Sequence, residues 1–78
     1  MSKKSKEWIE KGLKENENGN FDLALEYFTK AIEKSPTNER AYSERSSIYF
    51  KKKEFELSLK DIEKTIEIKP NLIKVNLN

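Results

Sequence analysis

The feature that most constrains this chain is an internal repeat, because its second half restates the first half at a fixed offset. Pro36 and Pro70 lie 70 − 36 = 34 positions apart. The same offset pairs further residues of similar character: Trp8 with Tyr42, Phe21 with Phe55, Leu23 with Leu57, Leu25 with Leu59, and Ile32 with Ile66. A period of this size indicates a stacked array in which one supersecondary unit recurs and buries its apolar side against its neighbour.

The composition agrees with one small helical domain, residues 1–78. Of the 78 residues, 35% are hydrophobic and 38% are charged, with two glycines and two prolines. A core this small stabilises a fold by only about 3–5 kcal/mol, so packing between repeats has to contribute. The net charge of +2 is too small to predict a phosphate-binding surface.

The missing residue types exclude several kinds of chemistry. The chain has no cysteine and no histidine, which removes disulfides, thiolate metal ligands and imidazole bases. Its basic start is followed by Glu7 and Trp8 rather than by an apolar run, so no signal peptide is predicted. No window reaches the ~20 apolar residues that a membrane span needs. We therefore expect no membrane association and a cytoplasmic location.

Apolar residues spaced by threes and fours predict four helices. Their ranges are 5–18, 21–34, 39–52 and 55–69, with residues 1–4 as a flexible basic tail and 73–78 as the truncated start of a fifth helix. Gly12 predicts the close approach of another helix, because glycine inside a helix otherwise costs about 1 kcal/mol. Asn20 is the expected N-cap of the second helix. Lys53 stands where the first repeat has Gly19, so we expect a positive φ at Lys53.

The same spacing identifies the stripes that the helices should bury. The stripe of the second helix comprises Phe21, Ala24, Leu25, Phe28, Ala31 and Ile32. The stripe of the third helix comprises Tyr42, Ser46 and Tyr49. The stripe of the fourth helix comprises Phe55, Ser58, Leu59, Ile62, Thr65 and Ile66. Small residues between large ones favour close packing of neighbouring helices.

This pattern of residues resembles the tetratricopeptide repeat family. In the first repeat the resemblance rests on Trp8, Gly12, Gly19, Phe21, Ala24, Phe28, Ala31 and Pro36. In the second repeat it rests on Tyr42, Ser46, Tyr49, Phe55, Ser58, Ile62, Thr65 and Pro70. The resemblance implies an all-α fold, a right-handed α-α superhelix of two helix-turn-helix units at residues 5–38 and 39–72. Lys11, Glu15 and Lys53 depart from the leucine, tyrosine and glycine that the family prefers.

Within that family, the run 41–46 and the end of the second repeat most resemble the co-chaperones that organise heat-shock chaperones. That resemblance implies a carboxylate clamp, in which lysine, asparagine and arginine side chains make charge-assisted hydrogen bonds to an acidic chaperone tail. The corresponding positions here are Ile9, Leu13, Glu44, Lys74 and Asn78, and only Lys74 keeps the family's residue. We therefore expect that a doubly acidic tail does not bind, while a chaperone stays among the partners that the resemblance suggests.

The resemblance further implies a co-chaperone-like adaptor that binds a protein or peptide in the concave groove of the first helix of each pair. No catalysis, cofactor or metal is expected. The candidate groove residues are Ile9, Leu13, Asn16, Ser43, Glu44, Ser47, Phe50, Lys51 and Lys74, with Leu77 beyond them. Acid pairs such as Asp61 and Glu63 are interpreted as solvated helix faces rather than as catalytic pairs.

Two other functions stay open. The fourth helix carries a second apolar flank, formed by Leu59, Ile62, Ile66 and Ile68. The first of these functions is structural: the chain is a repeat unit that forms a homodimer through this flank. Lysines at positions 3, 4, 6 and 51–53 are the basis of the third function, weak nucleic-acid binding. A solvated tail and a helix end explain those lysines more simply.

Overall fold

The computed structural model describes residues 3–70, which form four α-helices and contain no β-strand. The helices are α1 (Lys3–Glu17), α2 (Phe21–Lys34), α3 (Glu39–Lys51) and α4 (Phe55–Ile68). Each end lies within two residues of its predicted position. Helix α1 packs on α2 and α3 packs on α4, so the described residues form the two predicted helix-turn-helix units. The fifth helix predicted at 73–78 lies outside the described residues.

The start of α1 differs from the prediction of a flexible tail over residues 1–4. Lys3 and Lys4 belong to the helix, and lysine is a good helix former. The first turn is also fixed from outside, because the buried hydroxyl of Ser5 donates a hydrogen bond to the carbonyl of Ala31 at 2.9 Å. Asn38 Nδ2 donates to the same hydroxyl at 2.8 Å. These bonds join the start of α1 to the end of α2 and to the residue that precedes α3.

The two turns inside the repeats have the same conformation although their sequences differ. Gly19 has φ 80° and Lys53 has φ 64°, which confirms the positive φ expected at Lys53. Asn20 precedes α2, as an N-cap residue does, but its side chain makes no capping hydrogen bond. Its amide instead donates to Glu15 Oε1 at 2.8 Å. The Asn20 side chain therefore links the start of α2 to the end of α1.

The hydrophobic core lies between α1, α2 and α3. Its buried members are Ile9, Ala24, Phe28, Ala31, Ala41 and Ile48. Phe28 is fully buried, and a Cβ added at Gly12 would come within 2.6 Å of its ring. The prediction that Gly12 permits close approach is therefore confirmed. Phe21, Leu25 and Ile32 pack partly buried against this core, as their stripe predicted.

The prediction for α4 was wrong in part, because the residues that face α3 are polar. Four large side chains expected to be inside are instead more than a third exposed: Phe55, Leu59, Ile62 and Ile66. The buried residues of α4 are Ser58, Asp61 and Thr65. Asp61 was interpreted as solvated, yet it is buried. The reason is a hydrogen-bonded partner on α3, without which a buried carboxylate would be costly.

That partner is Arg45, which joins three helices. Its Nε and Nη2 donate to the two carboxylate oxygens of Asp61 at 2.8 and 2.9 Å. Its Nη1 donates to Thr29 Oγ1 on α2 at 3.1 Å. The hydrogen bond to Asp61 raises the pKa of Arg45 above its ordinary value, outweighing the opposite effect of burial. The guanidinium therefore stays charged and holds α4 and α2 on either side of α3.

Candidate functional site

The candidate site is the surface shared by α1 and α3, the first helices of the two repeats. These helices run side by side in the same direction. At their starts, Asn38 reaches Ser5. Near their ends, Lys51 Nζ donates to Asn16 Oδ1 at 3.3 Å. Because residues three and four apart share one side of a helix, each helix presents one row of side chains to the groove between them.

A cavity opens at the beginning of this groove. Its volume is about 280 Å³, and it is lined by Lys6, Ile9, Glu10, Leu13 and Arg40. Four of these residues follow the helical spacing of α1, and the fifth comes from the first turn of α3. Two aliphatic side chains therefore lie among two cationic groups and one carboxylate. This combination of an apolar interior and a few charged groups is common in binding sites.

The groove residues predicted on α1 have different roles. Ile9 lines the cavity, but it is only 4% exposed and also belongs to the core. Its side chain belongs to the same core cluster as Phe28. Leu13 is half-buried and packs against the core while it lines the cavity. Asn16 is half-buried and lies beside Lys51.

The groove residues predicted on α3 form a polar row. Glu44 is half-buried, and its carboxylate lies 3.6 Å from Nε of Arg40, one turn earlier. Ser43 and Ser47 are exposed on the same helix. The acidic charge of Glu44 is thus partly balanced by Arg40 instead of facing the groove alone. Lys51 also lies 5.3 Å from the centre of the Phe21 ring.

Other predicted groove residues are not brought to the cavity. Phe50 is 63% exposed but packs edge to face against Phe55 of α4, with 5.3 Å between the ring centres. It therefore belongs to the corner between α3 and α4. Lys74 and Leu77 lie outside the described residues. The groove prediction consequently rests on α1 and α3 alone.

Sequence reasoning missed three charged residues of the cavity: Lys6, Glu10 and Arg40. A signal for them was available. Lys6 precedes Ile9 by three residues and Arg40 precedes Glu44 by four, which places each pair on one side of its helix. The register between α1 and α3, which brings Arg40 beside Leu13, was not visible in either helix alone.

The described residues offer few arrangements for other chemistry. Within residues 3–70, no three histidine, cysteine or acidic side chains come together as a group that could hold a metal ion. Asp61 is engaged by Arg45, while Glu63 is exposed, so this pair of acids is not assembled. None of the four helices has both the length and the apolar composition needed to cross a bilayer. Of the lysines at 51–53, Lys52 pairs with Asp22, and this interaction raises the pKa of Lys52.

The sequence matches the tetratricopeptide repeat over residues 15–38 and 39–72. It is similar to Hsp70-Hsp90 organizing protein 2 of Arabidopsis thaliana, with 37% identity over 81% of this chain and 12% of that protein. It is also similar to small glutamine-rich tetratricopeptide repeat-containing protein 2 of Saccharomyces cerevisiae, with 33% identity over 81% of this chain and 18% of that protein. Heat shock protein sti1 homolog of Schizosaccharomyces pombe is 39% identical over 69% of this chain and 9% of its own length.

The chain thus spans less than a fifth of each of these relatives. The repeat and the co-chaperone relatives support a protein–protein interaction module, and domains of this kind are typically non-enzymatic. The repeat match begins in the last turn of α1 and includes α2, α3 and α4. Because this match extends over more than half of the chain and agrees with its two helix-turn-helix units, the chain belongs to the tetratricopeptide repeat family.

Proposed function

We propose that the chain is an adaptor that binds an extended or helical segment of a protein partner in the groove between α1 and α3. The observation that carries this proposal is the cavity lined by Ile9 and Leu13 and bordered by Lys6, Glu10 and Arg40. Its volume of about 280 Å³ is slightly below the ~300–1,000 Å³ of sites that enclose a small ligand. A space of this size suits one anchoring side chain of a longer segment.

The chemistry of the cavity favours an aliphatic anchor. Ile9 and Leu13 form its apolar part, and an inserted side chain would remove the exposed part of Leu13 from water. An acidic anchor would meet Glu10, and Glu44 lies beside Arg40 at the edge of the groove. A mixed-charge border of this kind fixes orientation and register more than it adds affinity. We therefore propose an apolar residue with polar neighbours as the recognised element.

The partner belongs, in this proposal, to the chaperone system. The support is the similarity to relatives whose names contain Hsp70-Hsp90 organizing protein and heat shock protein sti1 homolog. The groove itself does not offer the acidic-tail clamp, because Ile9, Leu13 and Glu44 occupy its positions. An internal apolar segment of a chaperone or of another co-chaperone fits the cavity better than a doubly acidic tail.

The test is selection from a library of displayed random peptides. The immobilised full chain should enrich peptides with a leucine, isoleucine or methionine flanked by polar residues. Leu13→Asp should abolish binding of the selected peptides, because it puts a carboxylate where the anchor inserts. Leu23→Asp is the matched control, since Leu23 is an exposed leucine outside the cavity. Selection of paired acidic C-termini, or equal effects of the two substitutions, would refute the proposal.

A further inference from the structure

The outer surface of α4 carries an apolar stripe that residues 3–70 cover only in part, with Phe50 packed on one end of it. Its members are Phe55, Leu59, Ile62 and Ile66, spaced by four, three and four residues. They are 56%, 55%, 37% and 40% exposed, respectively. This spacing forms a continuous seam along one side of a helix, of the kind that packs against a second helix. We call this surface the α4 seam.

The first repeat shows what such a seam binds. The residues 34 positions earlier are Phe21, Leu25, Phe28 and Ile32, and these belong to the core or pack against it. Helix α2 packs on both α1 and α3. Two basic residues of α3 reach α2: Arg45 donates to Thr29 and Lys52, just beyond the helix end, pairs with Asp22. Arg45 and Lys52 are seven positions apart, and so are their acceptors, Asp22 and Thr29.

The same two acceptor positions on α4 are both acidic. Glu63 is the equivalent of Thr29, and Glu56 is the equivalent of Asp22. Both are exposed, and neither forms an ion pair within residues 3–70. Because they lie seven positions apart, they line one edge of the α4 seam. The α4 seam therefore has an apolar stripe bordered by two carboxylates. They stand at the two positions whose equivalents on α2 accept hydrogen bonds from Arg45 and Lys52.

We propose that the α4 seam is a second interaction surface, which binds an amphipathic helix of a partner protein. That helix runs antiparallel to α4, and carries two arginine or lysine residues seven positions apart beside its own apolar stripe. One cation pairs with Glu63 and the other with Glu56. This surface is separate from the groove of α1 and α3, so the adaptor holds two partners at once.

Charge distinguishes this occupant from a second copy of the chain. In an antiparallel two-fold pair of α4 helices, the edges that carry Glu56 and Glu63 lie on the same side. Each edge also carries Lys60 between the two glutamates, so four carboxylates and two ammonium groups meet, and the excess of negative charge disfavours the pair. A basic helix meets the same carboxylates with opposite charge. The homodimer predicted from the sequence uses this seam as well, and is therefore a competing outcome in the test.

The test uses a synthetic peptide with the sequence of residues 39–52, which contains Arg45 and Lys52. A fluorescent label at its N-terminus reports binding to the full chain by anisotropy. The peptide should bind, and Glu63→Arg should weaken binding about tenfold because an attractive pair becomes a repulsive one. Glu26→Arg, at an exposed glutamate of α2, is the matched control. It changes the net charge of the chain by the same amount but should change the affinity less than twofold.

A charge exchange gives the decisive comparison. The peptide carrying Arg45→Glu should bind the native chain weakly and should regain affinity for the chain carrying Glu63→Arg. The proposal is overturned if the peptide does not bind, if Glu26→Arg acts like Glu63→Arg, or if the exchange restores nothing. It is also overturned if sedimentation shows a dimer that Leu59→Asp dissociates, because a second copy then occupies the seam.

Discussion

Helices α2 and α4 occupy the same place in their repeats and carry equivalent apolar stripes, yet they differ in what covers them. Phe28 of α2 is fully buried, whereas its equivalent on α4, Ile62, is 37% exposed. The difference does not arise within the helices, since both have the same length and the same turn before them. It arises because, within residues 3–70, α2 lies between two helices and α4 packs on one. Burial in a repeat array is thus a property of the neighbours.

The interfaces inside the two repeats also differ in chemistry. In the first repeat, Trp8 stacks on Tyr27 with 5.5 Å between ring centres, and Lys11 Nζ lies 4.9 Å from the Trp8 ring. In the second repeat, Tyr42, Arg45 and Asp61 stand at the corresponding positions. An aromatic stack is replaced by a bidentate ion pair. An aromatic stack that loses one ring leaves no buried charge, whereas the Arg45–Asp61 pair leaves a buried charge if either partner is removed.

The largest test of this comparison removes the equivalent apolar side chains. Phe28→Ala should lower the free energy of unfolding by about 3–5 kcal/mol, because it leaves a cavity in the core. Ile62→Ala should cost less than about 1.5 kcal/mol, since much of its surface is already in contact with water. Circular dichroism should show Phe28→Ala largely unfolded without urea, while a urea titration of Ile62→Ala measures its smaller loss. Similar losses for the two variants would show that the α4 seam is covered in solution.

The second test breaks the charged contact of the second repeat. Asp61→Ala should cost about 3 kcal/mol, because it leaves the guanidinium of Arg45 partly buried and unpaired. Lys11→Ala, at the position equivalent to Arg45, should cost no more than about 1 kcal/mol, the value of an exposed cation–π contact. The double variant Arg45→Met, Asp61→Ala should be more stable than Asp61→Ala alone. If the loss of the double variant equals the sum of the losses of Arg45→Met and Asp61→Ala, then Arg45 and Asp61 do not stabilise each other.

The pH dependence of this pair follows from the raised pKa of Arg45. A base whose pKa is raised by folding stabilises the fold fully below its ordinary pKa, and loses that contribution only as the pH rises through the raised value. The contribution of the pair should therefore stay constant from neutral to mildly alkaline pH. The difference in unfolding free energy between the native chain and Arg45→Met, measured over that range, checks this.

The sequence was sufficient for the helices and the repeat because both depend on local spacing. The stripe of α2 and the turn at Lys53 were read correctly for that reason. On α4, the burial of Ser58 and Thr65 was predicted, but that of Asp61 was not, since Asp61 lies among charged residues and its partner is sixteen positions away on another helix. The groove was predicted only in part: Leu13 was found, while Arg40 required the register between α1 and α3.

The third test concerns the junctions at the starts of α1 and α3. Ser5→Ala should cost about 1–3 kcal/mol, because Ala31 and Asn38 lose a buried hydrogen-bonding partner. At the equivalent position, Glu39 makes a partly exposed ion pair with Lys69 at 3.2 Å, and Glu39→Gln should cost less than about 1 kcal/mol. Thermal unfolding of both variants measures the difference. Equal shifts in melting temperature would show that the two junctions contribute equally to the stability of the fold.

The smallest expected effect concerns the two turns. Lys53 adopts φ 64° where the first repeat has glycine, and a side chain in this conformation costs about 1–2 kcal/mol. Lys53→Gly removes that strain, although glycine gains conformational freedom in the unfolded chain, which returns about 0.4–1 kcal/mol. The net stabilisation should be up to about 1.6 kcal/mol, a rise of several degrees in the melting temperature of so small a domain.

Gly19 supplies the reciprocal variant for this turn. A Cβ added there would meet no atom within 4 Å, so only its φ of 80° opposes a side chain. Gly19→Lys should therefore lower the melting temperature by about the amount that Lys53→Gly raises it, and the double variant should melt near the native chain. An unchanged or lower melting temperature for Lys53→Gly would mean that local contacts of the Lys53 side chain offset the backbone strain in the second turn.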